Sequence, residues 1–231
     1  MKINAVFFDC DGVLVNTEPL HYRAFLKVLS IYGVYFDYKT YVDQYIGFDD
    51  RDAFRAIAHN YNLSFSEADI PALVQKKNDY LLEEASKGVE SFDGVVSFVR
   101  SVYEAGVPAG VVSGSLRKEV ETFLKCLGIL DFFCIFVTAD DVKRSKPDPE
   151  SYQKALTQTV QYLGKEISPS RCVVFEDTPA GVESAKGAGM FVVAVEHSFK
   201  AQELVKADLV IPSFKDLNFS EFCNLIKRLP K

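Results

Sequence analysis

Ala5-Val6-Phe7-Phe8-Asp9-Cys10-Asp11-Gly12-Val13-Leu14-Val15 is the stretch on which the reading of this chain turns. Its apolar start, rich in β-branched and aromatic residues, predicts a strand buried on both faces, as in a parallel sheet. The run stops on two carboxylates one residue apart and then a glycine. Open α/β sheets bind ligands at the carboxyl ends of their strands, so Asp9 and Asp11 fall where chemistry is expected. Two acids so close repel each other unless a positive charge lies between them. Mg²⁺ is the simplest candidate, a hard cation that takes oxygen ligands and usually brings a phosphate with it.

Beyond this stretch, Asn16-Thr17-Glu18-Pro19 predicts a helix start, with Thr17 as the cap and Pro19 in the first turn. Leu20, Ala24, Phe25, Val28 and Leu29 recur at helical spacing until Gly33. Helical patterns continue through Phe54, Ile57 and Ala58, and again through Leu73, Val74, Lys77, Tyr80 and Leu81. No strand pattern interrupts them before Lys87. Such a block is too long for a simple crossover and predicts an inserted helical domain over 17–87, with 1–16 and 88–231 forming the other domain. From Gly88 onward the texture alternates. Strands are predicted over 107–112, 134–137, 171–175 and 190–195, with a weaker one over 207–211. Helices are predicted over 95–102, 116–127, 151–163, 178–188 and 219–229. This alternation predicts an α/β fold with a Rossmann-like parallel sheet covered by helices on both faces, a three-layer core carrying a helical-bundle insertion.

Bulk properties bound the partners. The 231 residues are 48% hydrophobic and 25% charged, ample for a sizeable core. A net charge of −6 without a long basic run argues against a nucleic-acid backbone as partner. No apolar stretch approaches the roughly 20 residues of a membrane-spanning helix, and the N-terminus lacks the pattern of a signal peptide. Cys10, Cys126, Cys134, Cys172 and Cys223 are scattered without zinc-like spacing and read as reduced thiols. A cytoplasmic chain is expected, a monomer or weak dimer that engages neither membrane nor nucleic acid.

Three of the predicted strands end on polar residues: Asp9 and Asp11, Ser113 and Gly114, Glu176 and Asp177. Between the last two sits Lys146-Pro147-Asp148-Pro149, whose prolines hold Lys146 on a stiff loop before the next helix. Together these residues can hold Mg²⁺ and a phosphoryl group. Asp9 and Asp177 would give carboxylate oxygens to the metal, with Glu176 alongside, directly or through water. Ser113 and Lys146 would hold phosphoryl oxygens, and Gly114 with the backbone N–H groups after Asp9 would complete an anion cradle. Charge neutralisation by Mg²⁺ and Lys146 opens the phosphorus to in-line attack. Asp9 is the candidate nucleophile, and Asp11 the candidate acid and base for the leaving oxygen and for water. A blander reading of Glu176-Asp177 is a cap on the helix that follows.

These motifs, Asp9-x-Asp11-Gly12-Val13-Leu14-Val15 with Thr17-Glu18, then Val111-Val112-Ser113-Gly114-Ser115, Lys146-Pro147-Asp148-Pro149, and Val174-Phe175-Glu176-Asp177-Thr178-x-Ala180-Gly181-Val182 through Gly189-Met190, stand in an order that resembles the haloacid dehalogenase superfamily. The resemblance is greatest to the branch with a small helical cap after the first strand, which includes β-phosphoglucomutase and many sugar-phosphate and phosphoglycolate phosphatases. It implies Asp9 as nucleophile, Asp11 as acid/base that also gives its backbone carbonyl to Mg²⁺, Ser113 and Lys146 on phosphate, Asp177 on metal, and the inserted helices as the cap. The founding dehalogenases lack the second aspartate, so Asp11 favours phosphoryl transfer. A Mg²⁺-dependent phosphatase of a small phosphorylated metabolite, a sugar phosphate by preference, is therefore expected. The alternatives are a hexose-phosphate mutase and a binding protein on the same scaffold.

Thr17, His21 and the run Lys77-Asn78-Asp79 resemble mutase residues and are candidate substrate contacts. Arg51, after Gly47-Phe48-Asp49-Asp50, stands one position out of register with the arginine that grips the distal phosphate in mutases. His21, four residues after Thr17, can share its helix face; it reads either as a substrate-side residue or as a packed helix histidine. His59 and His197 have no partner in sequence and read as structural or surface residues. Tyr32, Tyr35, Tyr38, Tyr41 and Tyr45 read as packing of the helical domain.

Overall fold

The structure is a computed structural model that describes residues 2–46 and 48–229. Gly47, quoted above ahead of Arg51, lies outside the described residues. The chain divides into two compact units, one of residues 1–16 and 90–231 and one of residues 17–89. The second crossing falls between Val89 and Glu90, slightly later than the break expected at Gly88. Lys87 and Gly88 stay with the helical unit because their amides donate to the carbonyls of Glu84 and Ala85.

The first unit starts with β1 (Ala5–Phe8), and the chain then builds the helical unit from α1 (Glu18–Leu29), α2 (Tyr38–Gln44), α3 (Asp50–Asn60) and α4 (Ile70–Ala85). It returns through α5 (Val95–Glu104), β2 (Ala109–Val112), α6 (Arg117–Cys126), β3 (Ile135–Val137), α7 (Glu150–Leu163), β4 (Cys172–Glu176), α8 (Pro179–Gly187), β5 (Phe191–Val195), β6 (Leu209–Ile211) and α9 (Phe219–Lys227). Among the described residues the strands form one six-stranded sheet in the order β3-β2-β1-β4-β5-β6, with every pairing parallel.

Every residue of β1, β2 and β4 is buried, which explains why these strands read as unbroken apolar runs rather than as alternations. One face is filled by aromatic rings. Phe8 stacks on Phe175 at 5.2 Å between centroids, and Phe98, Phe214 and Phe222 close around Phe175. The other face packs Phe7, Val174 and Val192 with Tyr152 and Ala155 of α7 and Val182 and Ala185 of α8. β1 lies between β2 and β4, where the strand order reverses. Open α/β sheets bind their ligands at such a reversal, beyond the carboxyl ends of the strands.

The helical unit has its own core, with Phe25, Val28 and Leu29 of α1 packed with Phe54 and Ile57 of α3 and Ile70 and Leu73 of α4. Tyr41 and Tyr45 are buried in it, but Tyr32, Tyr35 and Tyr38 are exposed. The first three members of the tyrosine run therefore face water, and the packing expected of the whole run holds for the last two. Thr17 precedes α1, and its carbonyl accepts from the amides of Leu20 and His21. Its side chain makes no capping hydrogen bond, because the residue is already in helical conformation. The cap predicted for its hydroxyl is thus absent. Among the described residues no helix is long and apolar enough to cross a membrane, and all five cysteines are free.

Candidate active site

The acids lie where β1 and β4 end side by side. The Asp9 amide donates to the Phe175 carbonyl at 3.0 Å, the last rung before the strands part. A tight turn follows in which the amides of Leu14 and Val15 both donate to the Cys10 carbonyl. Gly12 sits in it at φ +81°. A Cβ added there would fall 1.9 Å from Asp177 Oδ2. Glycine is therefore required twice over, for its backbone angle and for the approach of two acid-bearing loops. Gly12→Ala is expected to lower stability by about 1–3 kcal/mol and to impair any chemistry at the acid cluster far more, since Asp177 must move aside. Thermal melting measured beside turnover checks this.

Lys146 Nζ lies inside the cluster. It donates to Asp9 Oδ1 at 2.9 Å, Glu176 Oε1 at 2.6 Å and the Val112 carbonyl at 3.0 Å. All three ammonium donors are thus committed, and a phosphoryl oxygen would have to replace one of these acceptors. Glu176 Oε1 also accepts from the Tyr152 hydroxyl at 2.6 Å, with the Tyr152 ring 5.3 Å from Lys146 Nζ. Burial alone would depress the Lys146 pKa, but the Asp9 and Glu176 carboxylates outweigh it and hold the group above the usual lysine range.

Asp11 points toward β2. Its Oδ2 accepts from Ser115 Oγ at 2.6 Å and from Ser113 Oγ at 3.3 Å. Ser113 Oγ in turn accepts from the Ser115 amide, while Gly114 is exposed with open space beside it. The cap on α8 comes from Thr178, whose hydroxyl accepts from the Gly181 amide at 3.0 Å. The bland reading of Glu176-Asp177 as the helix cap is thereby displaced, and both carboxylates turn toward the cluster.

Carboxylate oxygens of Asp9, Glu176 and Asp177 lie within 4.8 Å of one another, and all three residues are buried. Asp177 Oδ1 is buried with no hydrogen-bond partner, a costly state for a carboxylate. Burial first, then the neighbouring carboxylates, push Asp9 up to about 7 and Asp177 well above its ordinary value. An orphaned oxygen beside a second raised carboxylate is a donor set that fits a hard divalent cation. Asp9 and Asp177 are the better placed, because both Glu176 oxygens are engaged, Oε1 by Lys146 and Tyr152 and Oε2 by the Asp177 amide and the Thr178 hydroxyl, whereas Lys146 takes only Oδ1 of Asp9.

The sign of the Asp9 shift gives a pH prediction. Its folded pKa is raised from 3.8 to about 7, so between those values the cation-free folded protein keeps a proton that the unfolded chain releases. The stability contributed is complete below about 4 and is lost as pH rises toward 7. Added Mg²⁺ should therefore raise the melting temperature more above pH 7 than near pH 5. Melting curves at both pH values, with and without Mg²⁺, check this.

The remaining sequence candidates lie in the helical unit. Lys77 is fully buried there. Its ammonium donates to His21 Nδ1 at 2.6 Å and to both Asp50 oxygens at 2.8 and 2.9 Å, and it lies 5.2 Å from the centre of the Phe25 ring. Contrary to expectation, Lys77 has no donor left to offer a phosphate; it ties α1, α3 and α4 together. Arg51 is exposed in the first turn of α3, its amide donating to the Asp49 cap. Sequence reasoning missed Ser115 and Tyr152, which touch Asp11 and Glu176. Ser115 had a signal in its place beside Ser113-Gly114, whereas Tyr152 reads as an ordinary apolar position of α7.

Comparison with known proteins matches residues 6–195 to the family of haloacid dehalogenase-like hydrolases. The chain belongs to that family and is a phosphoryl-transfer enzyme. It is 31% identical over 213 residues to validoxylamine A 7'-phosphate phosphatase of Streptomyces hygroscopicus subsp. limoneus, covering 92% of this chain and 94% of that protein. It is 30% identical to the pyrophosphatase PpaX of Bacillus cereus (strain Q1), covering 94% and 95%. Among solved structures, β-phosphoglucomutase of Clostridium difficile superposes with a TM-score of 0.78 at 28% identity, covering 98% of this chain and all of that one.

Proposed function

We propose that the protein is a Mg²⁺-dependent phosphatase that hydrolyses a small phosphorylated metabolite, a sugar phosphate by preference, through an aspartyl-phosphate. The observation that carries this is the set of two buried carboxylates, Asp9 and Asp177 with its orphaned Oδ1, beside the lysine-bridged Glu176, with Asp11 held separately on Ser115. Asp9 and Asp177, with Glu176 alongside, would hold Mg²⁺, which would supply neutralisation of phosphoryl charge, and the family resemblance adds the Asp11 carbonyl to that set. Ser113, the Gly114 amide and Lys146 orient the phosphoryl oxygens.

A carboxylate oxygen of Asp9 forms a bond to phosphorus as the ester P–O bond breaks, and Asp11 passes its proton to the departing oxygen. Asp11 then takes a proton from water. The water oxygen bonds to phosphorus, the bond to Asp9 breaks, and phosphate leaves with Asp9 restored. The swing of Asp11 from Ser115 to the leaving oxygen is a side-chain rotation. Asp11→Asn should slow both steps by about 10²–10⁴-fold, most with alcohols that leave poorly. An unchanged rate across a leaving-group series removes the acid/base role.

The phosphatase names of relatives at 30–31% identity support hydrolysis. The likeness to β-phosphoglucomutase at 28% identity favours a second reading, a hexose-phosphate mutase. A mutase must grip a distal phosphate as well, and Lys77, a candidate substrate contact, is engaged by Asp50 and His21. Arg51 remains the candidate for such a grip, and Thr17 and His21 for substrate contact, with 17–89 serving as the cap. The chain is proposed to work in the cytoplasm as a monomer or weak dimer. Incubation with Mg²⁺ and a panel of phosphomonoesters, including β-glucose 1-phosphate with a bisphosphate primer, tests both readings. Phosphate release supports the phosphatase, isomer formation without release supports the mutase, and neither product sinks both.

A further inference from the structure

His197 follows β5 and has no counterpart among the motifs that carry the chemistry. Its ring lies flat on Phe92, 3.7 Å between centroids and 11° between planes. Its Nδ1 is 2.8 Å from the Gly12 carbonyl. A carbonyl only accepts, so Nδ1 carries the proton and donates. The stack removes the ring's freedom to rotate and aims that donor at the turn.

Gly12 is the point where the Asp9–Asp11 segment meets Asp177, with no room between them for a single methyl group. A tether on the Gly12 carbonyl therefore bears on how closely two acid-bearing loops from separate strands approach. The turn has internal bonds of its own: the Gly12 amide donates to the Val15 carbonyl, and the amides of Leu14 and Val15 to that of Cys10. These fix its shape. The start of the segment is held to β4 by the Asp9 amide on the Phe175 carbonyl, and the bond from the β5–β6 connection adds a second hold at Gly12 itself. Phe92 is anchored next to the same turn, because Ser91 bridges Val15 and the Asn16 amide donates to the Glu90 carbonyl at 2.8 Å.

We propose that His197 is a positioning residue for the cation site, its Nδ1–H holding the Gly12 carbonyl so that Asp9 and Asp177 stand at the separation a divalent cation requires. The inference rests on the cation-site part of the function proposed above, and not on the identity of the substrate. Partners that orient metal ligands from behind typically govern affinity by 10–100-fold.

The test uses Mn²⁺ binding by calorimetry to the full-length protein without substrate, beside kcat and KM in Mg²⁺. His197→Phe keeps a ring to stack on Phe92 and removes the donor. His197→Asn removes the ring but places an amide N–H where Nδ1 stands. His197→Phe is expected to weaken Mn²⁺ binding by about 10-fold and to lower kcat with KM little changed. His197→Asn is expected to recover most of both. Mn²⁺ affinity in His197→Phe equal to wild type overturns the proposal, as does a His197→Asn protein that binds Mn²⁺ as weakly as His197→Phe. A wild-type protein that binds Mn²⁺ but hydrolyses no phosphoester counts against the phosphatase reading alone, and the Mn²⁺ comparison still decides the role of His197.

Discussion

Asp9→Asn will lower phosphate release by at least about 10⁴-fold, the scale on which losing a covalent nucleophile is felt. The amide oxygen is a poor nucleophile, and the variant also removes an anionic oxygen from the cation site. Its effect on the fold has the opposite sign. Asp9 is buried beside Asp11, Glu176 and Asp177, with the Lys146 ammonium in contact with it. Taking away one carboxylate relieves repulsion in the cation-free protein, while the amide oxygen can still accept from Lys146. The variant should therefore melt at the same temperature as wild type or higher when Mg²⁺ is absent, and should gain less from Mg²⁺. Turnover and melting measured on one preparation separate loss of chemistry from loss of structure. Normal turnover would sink the assignment of Asp9.

Lys146→Met will have the second large effect, and here stability and chemistry fall together. Methionine fills much of the same volume, but Asp9 and Glu176 lose the ammonium between them and the Val112 carbonyl loses its donor. Removing one partner of a buried ionic cluster costs about 3–5 kcal/mol, because the remaining charges are left without compensation. The cation-free variant should melt well below wild type and recover part of the loss in Mg²⁺. Turnover should drop by about 10³-fold, since neutralisation of phosphoryl charge goes with the lysine. Adding Glu176→Gln should restore part of the stability, because it removes one uncompensated carboxylate while keeping an oxygen to accept from Tyr152. Activity should stay low. A double variant no more stable than Lys146→Met would refute this electrostatic account.

Both expectations begin from residues legible in the sequence. Asp9, Asp11, Ser113, Lys146, Glu176 and Asp177 could be singled out because each follows a buried strand or sits on a proline-stiffened loop, local features that survive in one dimension. Helices and strands of the α/β core were legible for the same reason: their apolar periods differ, and tight turns at glycines punctuate them. The helical unit was less legible at its working end. Lys77 stands in a run that invites a ligand, yet its ammonium is buried against Asp50, which lies 27 residues earlier and on another helix. Whether a lysine is free or paired depends on a neighbour that helical periodicity does not name.

The sequence by itself determined the class of chemistry, phosphoryl transfer, because an acid pair at a strand end, a hydroxyl at the next, a stiffened lysine and a second acid pair stand in the order of the haloacid dehalogenase-like hydrolases. The tertiary structure decided which partner each group has. Lys146 reaches Asp9 across 137 residues and Glu176 across 30, Tyr152 reaches Glu176 across 24, and His197 reaches Gly12 across 185. These pairings follow from the strand order, which sets β1 between β2 and β4 and brings the connection after β5 over the turn after β1. Hydrogen bonds and burial act over a few ångströms of space, whereas the patterns legible in a sequence act over a few residues of chain.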